Sequence, residues 1–344
     1  MVAQAVRDDH PGTLAAIPTI ECGPDFPMAT LAAEEARAHA LLDLATKGVP
    51  NAALRAADAM SRRWLRKTGN AHLAEIDAIA ARIKRPGAYF LSVNYEWGCT
   101  VGVKPSPDGQ SARLVRILDW RTHGLGRCVI AAKVSGPGGP FVTMTWPGYT
   151  GVLQAMAPGR FAAALNQAPM RKSGGGWLPL DWAINRARVW NNAYSTPAHL
   201  LRTAFETCAN YAEAKRLLTE QPIASPGIYS LSGIKADETC VIERSETAVM
   251  VHSGPGVAAN CWLGSGWSSG RPRGKDNPGR LSQMRTVSPD FDTTFSWVKP
   301  PILNERTRLA MVTDAATGRL IAQGFEADGP ATLPLTLDLP PTAA

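Results

Sequence analysis

The sequence predicts an α+β protein: layered antiparallel sheets with helices on the outside, preceded by a helical segment. Three observations carry this. Residues 28–85 are Ala-rich with apolar residues at helical spacing, a long run of strand-like segments follows, and a helical block at 179–221 separates that run from a second set of strands.

The elements follow in order. Residues 1–27, rich in Pro, Gly and small side chains, read as an irregular arm. Leu31, Ala38, Leu41, Leu42 and Leu44 share one helical face, Leu54, Ala57, Met60, Trp64 and Leu65 share another, and a third helix is expected over 71–83. Arg85-Pro86-Gly87 ends that region. The β-branched and aromatic character of 88–95 predicts a strand, as do 100–103, 114–119, 129–134, 141–146, 152–156 and 161–165, with Gly and Pro between them. Thr196-Pro197 reads as a helix start, and the helix that follows breaks near Asn210. Strands resume at 228–234, 240–244, 248–252 and 257–261. Residues 264–280 read as a Gly/Ser/Arg loop, and 309–313 with 320–325 as a hairpin around Ala316-Thr317-Gly318.

The 344 residues carry a formal net charge of +7, and 45% are hydrophobic. The basic residues are scattered. The densest runs, at 62–67 and 271–275, match no nucleic-acid motif, so no nucleic-acid partner is expected. Six cysteines show neither a C-x-x-C pair nor zinc spacing, and no His or carboxylate cluster suggests a metal or cofactor. The N-terminal residues lack a basic-then-apolar signal pattern, and no apolar run reaches 18 residues. A cytoplasmic chain with free thiols and no membrane insertion is the expectation.

Read alone, Cys99 is one thiol of six and a small core residue. Its surroundings argue for more. Gly98 precedes it and has backbone freedom that suits attack of the Cys99 side chain on the preceding carbonyl. Arg116 and Asp119 follow 17 and 20 residues later, a return that a hairpin brings back beside Cys99. Arg116 supplies a cation for a thiolate. A cysteine at a chain N-terminus carries its own base, an α-amino group titrating at about pH 8, and needs no His. Asp119 would hold that amine. Arg116 and Asp119 also read as an ordinary strand-end ion pair, and His123 is the one histidine placed near this site.

The stretch Cys99 to Asp119, with Arg116-Ile117-Leu118-Asp119, resembles the choloylglycine hydrolase and acid ceramidase superfamily, which also contains the N-acylethanolamine acid amidases. Further matches are Trp146-Pro147-Gly148-Tyr149, Ala157-Pro158-Gly159-Arg160-Phe161 and Leu165-Asn166. Val257-Ala258-Ala259-Asn260 and Asp276-Asn277-Pro278-Gly279-Arg280 extend them. Ala259 stands where many relatives carry Thr, which bears on the hydrogen bonding there. The resemblance implies a four-layer αββα N-terminal-nucleophile sandwich. It implies self-cleavage between Gly98 and Cys99, so that residues 28–98, a helical segment ending in a strand, belong to an α chain and 99–344 form a β chain of an α/β heterodimer. It assigns catalytic roles to Cys99, Arg116, Asp119, Asn166, Asn260 and Arg280, with the two asparagines at the oxyanion site. By their residue type alone, Asn166 and Asn260 are equally turn residues. The aromatic residues Trp97, Trp120, Trp146, Trp177 and Tyr149 are candidates for an apolar substrate pocket. The implied substrate is a small-molecule N-acyl amide with an apolar acyl group, hydrolysed through a Cys99 thioester. An acyltransferase using the same thioester, or an uncut binding scaffold, are the alternative readings.

Overall fold

The computed structural model of the chain describes residues 14–93, 97–173 and 177–341. Its first part holds β1 (Thr19–Gly23) and helices α1 (Met28–Ala33), α2 (Glu35–Ala45), α3 (Asn51–Lys67), α4 (Leu73–Ile83) and α5 (Ala88–Val93). The strands β2 (Trp97–Pro105), β3 (Ala112–Trp120), β4 (Ile130–Gly136), β5 (Gly139–Thr145), β6 (Gln154–Ala157), β7 (Phe161–Gln167) and β8 (Met170–Arg171) come next. Helices α6 (Leu178–Asn191), α7 (Pro197–Thr207) and α8 (Tyr211–Glu220) lead into β9 (Gly227–Ser232), β10 (Thr239–Arg244), β11 (Val249–Ser253), β12 (Gly256–Ala258) and β13 (Gly270–Arg271). The chain closes with α9 (Asn277–Thr286), β14 (Thr307–Asp314), β15 (Arg319–Glu326), β16 (Gly329–Pro330) and β17 (Leu335–Asp338).

Two large sheets face each other. One runs β1-β4-β5-β6-β7-β9-β10-β11; the other runs β12-β2-β3-β14-β15-β16, with β17 also on β15. The period of two along each strand decides which residues meet between them. Cys99, Val101 and Val103 of β2, with Leu114 and Leu118 of β3, enter the central core beside Met144, Leu165 and Leu231 of the first sheet. Val115 and Ile117 point the other way, into an outer core closed by Leu281 and Met284 of α9 and by Phe295, Val298 and Ile302. Helix α7 covers the far face of the first sheet, where Phe205 stacks on Phe161 at 4.8 Å. The order is helix, sheet, sheet, helix, the predicted αββα sandwich.

Local chemistry explains the helix ends. Thr196 caps α7 by accepting from the His199 backbone N–H at 3.1 Å, and Asn210 caps α8 through Glu213 N–H at 2.9 Å, restarting the helix where the sequence predicted a break.

The structure corrects several expectations. Residues 88–95 were expected as a strand, yet 88–93 form α5. Asp58 of α3 caps that helix from outside, accepting from Gly87 N–H at 2.7 Å and Phe90 N–H at 2.8 Å, so a tertiary cap outweighs β propensity. Residues 94–96 lie outside the described residues. Thr19–Gly23, inside the expected irregular arm, form β1 and pair in parallel with β4. The expected loop 264–280 gives way to α9 at Asn277, where Asp276 accepts from Gly279 N–H at 3.0 Å and Pro278 fits the first turn. Leu44 and Met60, placed on buried faces by spacing, are exposed. Among the described residues no helix is long and apolar enough to cross a membrane.

Candidate active site

Strands β2 and β3 form a hairpin closed by Ser106 N–H donating to Ser111 O at 2.8 Å. Its register sets Gly98 opposite Asp119, Cys99 opposite Leu118 and Val101 opposite Arg116. Strand alternation then sorts the site. Cys99 and Arg116 share the inner face as diagonal neighbours, while Asp119 shares the outer face with Gly98 and Thr100. The expectation that a hairpin returns Arg116 and Asp119 beside Cys99 holds, but on two faces of one sheet.

On the inner face the Cys99 thiol is fully buried and lies 3.8 Å from Leu165 O. Arg116, also fully buried, donates to the same carbonyl at 2.9 Å and to Asn166 Oδ1. The Asn166 amide nitrogen in turn donates to Ala259 O at 3.1 Å. Position 259 therefore serves through its carbonyl, and its methyl packs in the outer core, so the lack of Thr there removes no bond of this network.

On the outer face Asp119 accepts from Arg280 Nη1 at 3.0 Å, Asn304 Nδ2 at 3.2 Å and Thr307 Oγ1 at 3.0 Å. Arg280, reached by the loosest of the sequence matches, is the hub. It donates to Lys275 O at 2.8 Å, Cys99 O at 2.9 Å, Thr100 Oγ1 at 3.0 Å, Asn260 Oδ1 at 3.2 Å and Asn277 Oδ1 at 2.5 Å. Asn260 joins the two faces: its Oδ1 accepts from the Cys99 backbone N–H at 2.6 Å and its Nδ2 donates to Gln167 O at 2.8 Å. Asn260, not Asp119, holds the Cys99 nitrogen.

The structure thus gathers Cys99, Arg116, Asp119, Asn166, Asn260 and Arg280 into one bonded network. It adds Asn277, Asn304, Thr307 and Gln167, which the sequence did not single out. Asn277 had a readable signal, since Asp276-Asn277-Pro278 is a helix-start pattern. Asn304 and Thr307 reach Asp119 from 185 and 188 residues away, with no local signature.

Burial sets the electrostatics. It pushes the Cys99 thiol up to about 12, opposed by Arg116 and Arg280 and reinforced by Asp119. Burial lowers the Arg116 guanidinium, with Cys99 and Asp119 acting against that shift. Burial also raises the Asp119 carboxyl, countered by Arg280, Asn304 and Thr307. The buried thiol is therefore protonated at neutral pH.

Gly98 fills a tight place rather than a strained one. Its φ lies outside the left-handed region, contrary to the sequence expectation of special backbone freedom. A Cβ there would stand 3.3 Å from Asp119 Cβ and from Gly274 Cα, so a larger residue would push on both neighbours.

A hollow of about 90 Å³ touches this network at Leu165, Asn166 and Gln167, and two larger cavities lie beside it. A cleft of about 780 Å³ is lined by Trp97, Gly98, Asp119 and Gln167, together with Met170, Trp182 and several arginines. A second pocket of about 310 Å³ lies between the N-terminal helices and the sandwich. Leu41, Leu42, Ile79, Leu91, Trp120 and Trp146 line it, with Tyr149. Trp97 stacks on Trp120 at 5.6 Å, and Trp120 meets Trp146 edge-on at 5.5 Å, a row of rings from β2 to the apolar pocket. Trp177 does not join the row; it stands exposed at the start of α6. His123 is also set apart, in a separate hollow with Gly124, Arg127 and Glu326. Among the described residues no histidine lines either cavity at the site.

No family model matches the chain. Over 105 residues it is 34% identical to the acid ceramidase of Homo sapiens, covering 30% of this chain and 25% of that protein. It is 33% identical over 105 residues to the acid ceramidase of Mus musculus, with the same coverage. The match thus spans about a quarter of the length of these curated relatives. Among solved structures, a Caenorhabditis elegans ortholog of N-acylethanolamine-hydrolyzing acid amidase shares the fold. Its TM-score is 0.50 at 20% identity, over 70% of this chain and 100% of that one. The chain is thus similar to acid ceramidases over part of its sequence and shares the layered fold of an N-acylethanolamine-hydrolyzing acid amidase ortholog.

Proposed function

We propose that the chain cuts itself between Gly98 and Cys99 and then hydrolyses N-acyl amides with Cys99 as nucleophile. The observation that carries this reading is the position of Cys99. Its thiol lies beside Arg116, its nitrogen and carbonyl are held by Asn260 and Arg280, and Trp97 and Gly98 stand between it and the cleft.

In the precursor the sulfur attacks the Gly98 carbonyl carbon, the Gly98–Cys99 C–N bond breaks, and the Cys99 nitrogen gains the thiol proton. Water then hydrolyses the thioester. Asn70, Glu75 and Trp64 bind His199, Arg202 and Asn192 O across the cut at 2.6–3.2 Å, so the two chains stay together as a heterodimer. Departure of Trp97 and Gly98 from the strand uncovers the sulfur and relieves the burial that holds its proton.

In the mature enzyme the Cys99 α-amine, titrating at about pH 8, takes the thiol proton. Asp119, next to the place vacated by Gly98, and Asn260 hold that amine. The thiolate attacks the substrate carbonyl. The amide nitrogen of each asparagine keeps a second N–H beyond the bond it already makes, and those of Asn166 and Asn260 are assigned to the oxyanion, at about 3 kcal/mol per donor. The C–N bond breaks, the amine leaves with the proton, and water releases the acid. The pocket lined by Trp120, Trp146 and Tyr149 receives the apolar acyl chain.

Incubation with a panel of N-acyl amides, with mass analysis of the Cys99 peptide, tests the reading. Hydrolysis with a transient acyl adduct on that peptide is expected. Equal hydrolysis by Cys99→Ala overturns it.

A further inference from the structure

The cleft beside Gly98 carries a charge pattern that the proposed chemistry does not use. Among the described residues lining it, five are cationic: Arg121, Lys172, Arg271, Arg273 and Arg306. The one carboxylate among those described residues, Asp119, already accepts from Arg280, Asn304 and Thr307. Arg271 holds Asp181 at 2.9 Å, and Arg306 lies 3.7 Å from Glu305, which also takes Lys275 at 2.6 Å. Arg121 and Lys172 pair with no carboxylate among the described residues. The cleft is thus an electropositive cavity of about 780 Å³ at the scissile strand.

Resting on the amidohydrolase reading, we infer that this cleft binds the carboxylate of the substrate's amine part, so that the preferred substrates are N-acyl amino acids rather than neutral amides. Arg121 and Trp182 line both this cleft and the apolar pocket, so the two cavities adjoin. A ligand with an apolar chain, a central amide and a carboxylate matches that sequence of surroundings. A concave wall of one charge sign concentrates ions of the other, and guanidinium forks fit a carboxylate with two parallel hydrogen bonds. A neutral amine part, such as an ethanolamide, gains nothing from either effect.

The test compares N-lauroylglycine with N-lauroylethanolamine, identical in the acyl part. For the purified full chain, kcat/KM is measured by amine release and binding by calorimetry. The glycine conjugate is expected to lead by about tenfold or more, the lead shrinking as salt rises from about 50 mM to about 500 mM. Lys172→Gln with Arg121→Gln, both at exposed positions, should cut the ratio between the two substrates about tenfold. If the ethanolamide is hydrolysed as well or better, the inference falls and the amidohydrolase reading stands. If the glycine conjugate binds with this salt and Lys172 dependence yet neither amide is cut, the cleft assignment stands and the amidohydrolase reading falls. If neither ligand binds or reacts, both fall.

Discussion

Arg280→Met removes the guanidinium that ties both faces of the site together. Arg280 is fully buried and makes hydrogen bonds to Asp119, Asn260, Asn277, Thr100, Cys99 O and Lys275 O. Its loss leaves the Asp119 carboxylate almost fully buried with only Asn304 and Thr307 as donors among the described residues. Breaking a buried ion pair from one side costs about 3–5 kcal/mol, set against a whole-domain stability of about 5–15 kcal/mol. Asp119→Asn in the same chain removes the stranded charge, so the double variant should recover about 2 kcal/mol relative to the sum of the single costs. The sign with pH is fixed. Losing Arg280 raises further a carboxyl that burial already raises. The folded form then holds a proton that the unfolded chain releases at about pH 4, so the variant loses stability as pH rises above about 4. Urea unfolding followed by Trp fluorescence, in a Cys99→Ala background that keeps one covalent chain, measures each free energy. If Arg280→Met lies within about 0.5 kcal/mol of its parent and its Cys99 counterpart still cuts at the parental rate, Arg280 does not organise the site.

Two further outcomes follow from particular contacts. Gly98→Ala places a methyl 3.3 Å from Asp119 Cβ and Gly274 Cα, shifting the scissile carbonyl. Self-cleavage followed on denaturing gels should slow by about tenfold to a hundredfold, and an unchanged rate would remove the steric reason for glycine. His199, buried between Asn70 and Thr150 and facing His72 and Arg202, has its pKa pushed well down, first by burial and then by those two neighbours. The unfolded chain gains a proton below about pH 6.5 that the folded chain refuses, so stability falls with acidification by up to about 1.4 kcal/mol per pH unit. His199→Gln should flatten that slope between about pH 6.5 and 5; an unchanged slope would exonerate His199.

The fold class and the closeness of Cys99, Arg116 and Asp119 were readable because the hydrophobic period and the hairpin spacing are local properties, whereas Asn166, Asn260 and Arg280 were reached only through the family resemblance. Cys99, Arg116 and Asp119 sit within one hairpin. The failures are equally physical. The sequence 88–93 favours a strand until Asp58 caps it from α3. Spacing alone did not reveal that Asp119 and the thiol take opposite faces, although 116 and 119 differ by an odd number, which a pleated strand turns into opposite sides. Arg280 looked peripheral because a Gly/Arg-rich stretch hides a short helix whose start is written in Asp276 and Pro278. The electropositive cleft draws on residues from 121 to 306, so only the folded chain shows it.

Intact mass with N-terminal sequencing of the purified 344-residue chain tests the central claim most directly. Two chains are expected, the heavier beginning at Cys99, and Cys99→Ala should remain whole and inactive. A wild-type chain that stays whole after prolonged incubation at acidic and neutral pH, yet hydrolyses N-acyl amides, would contradict the account.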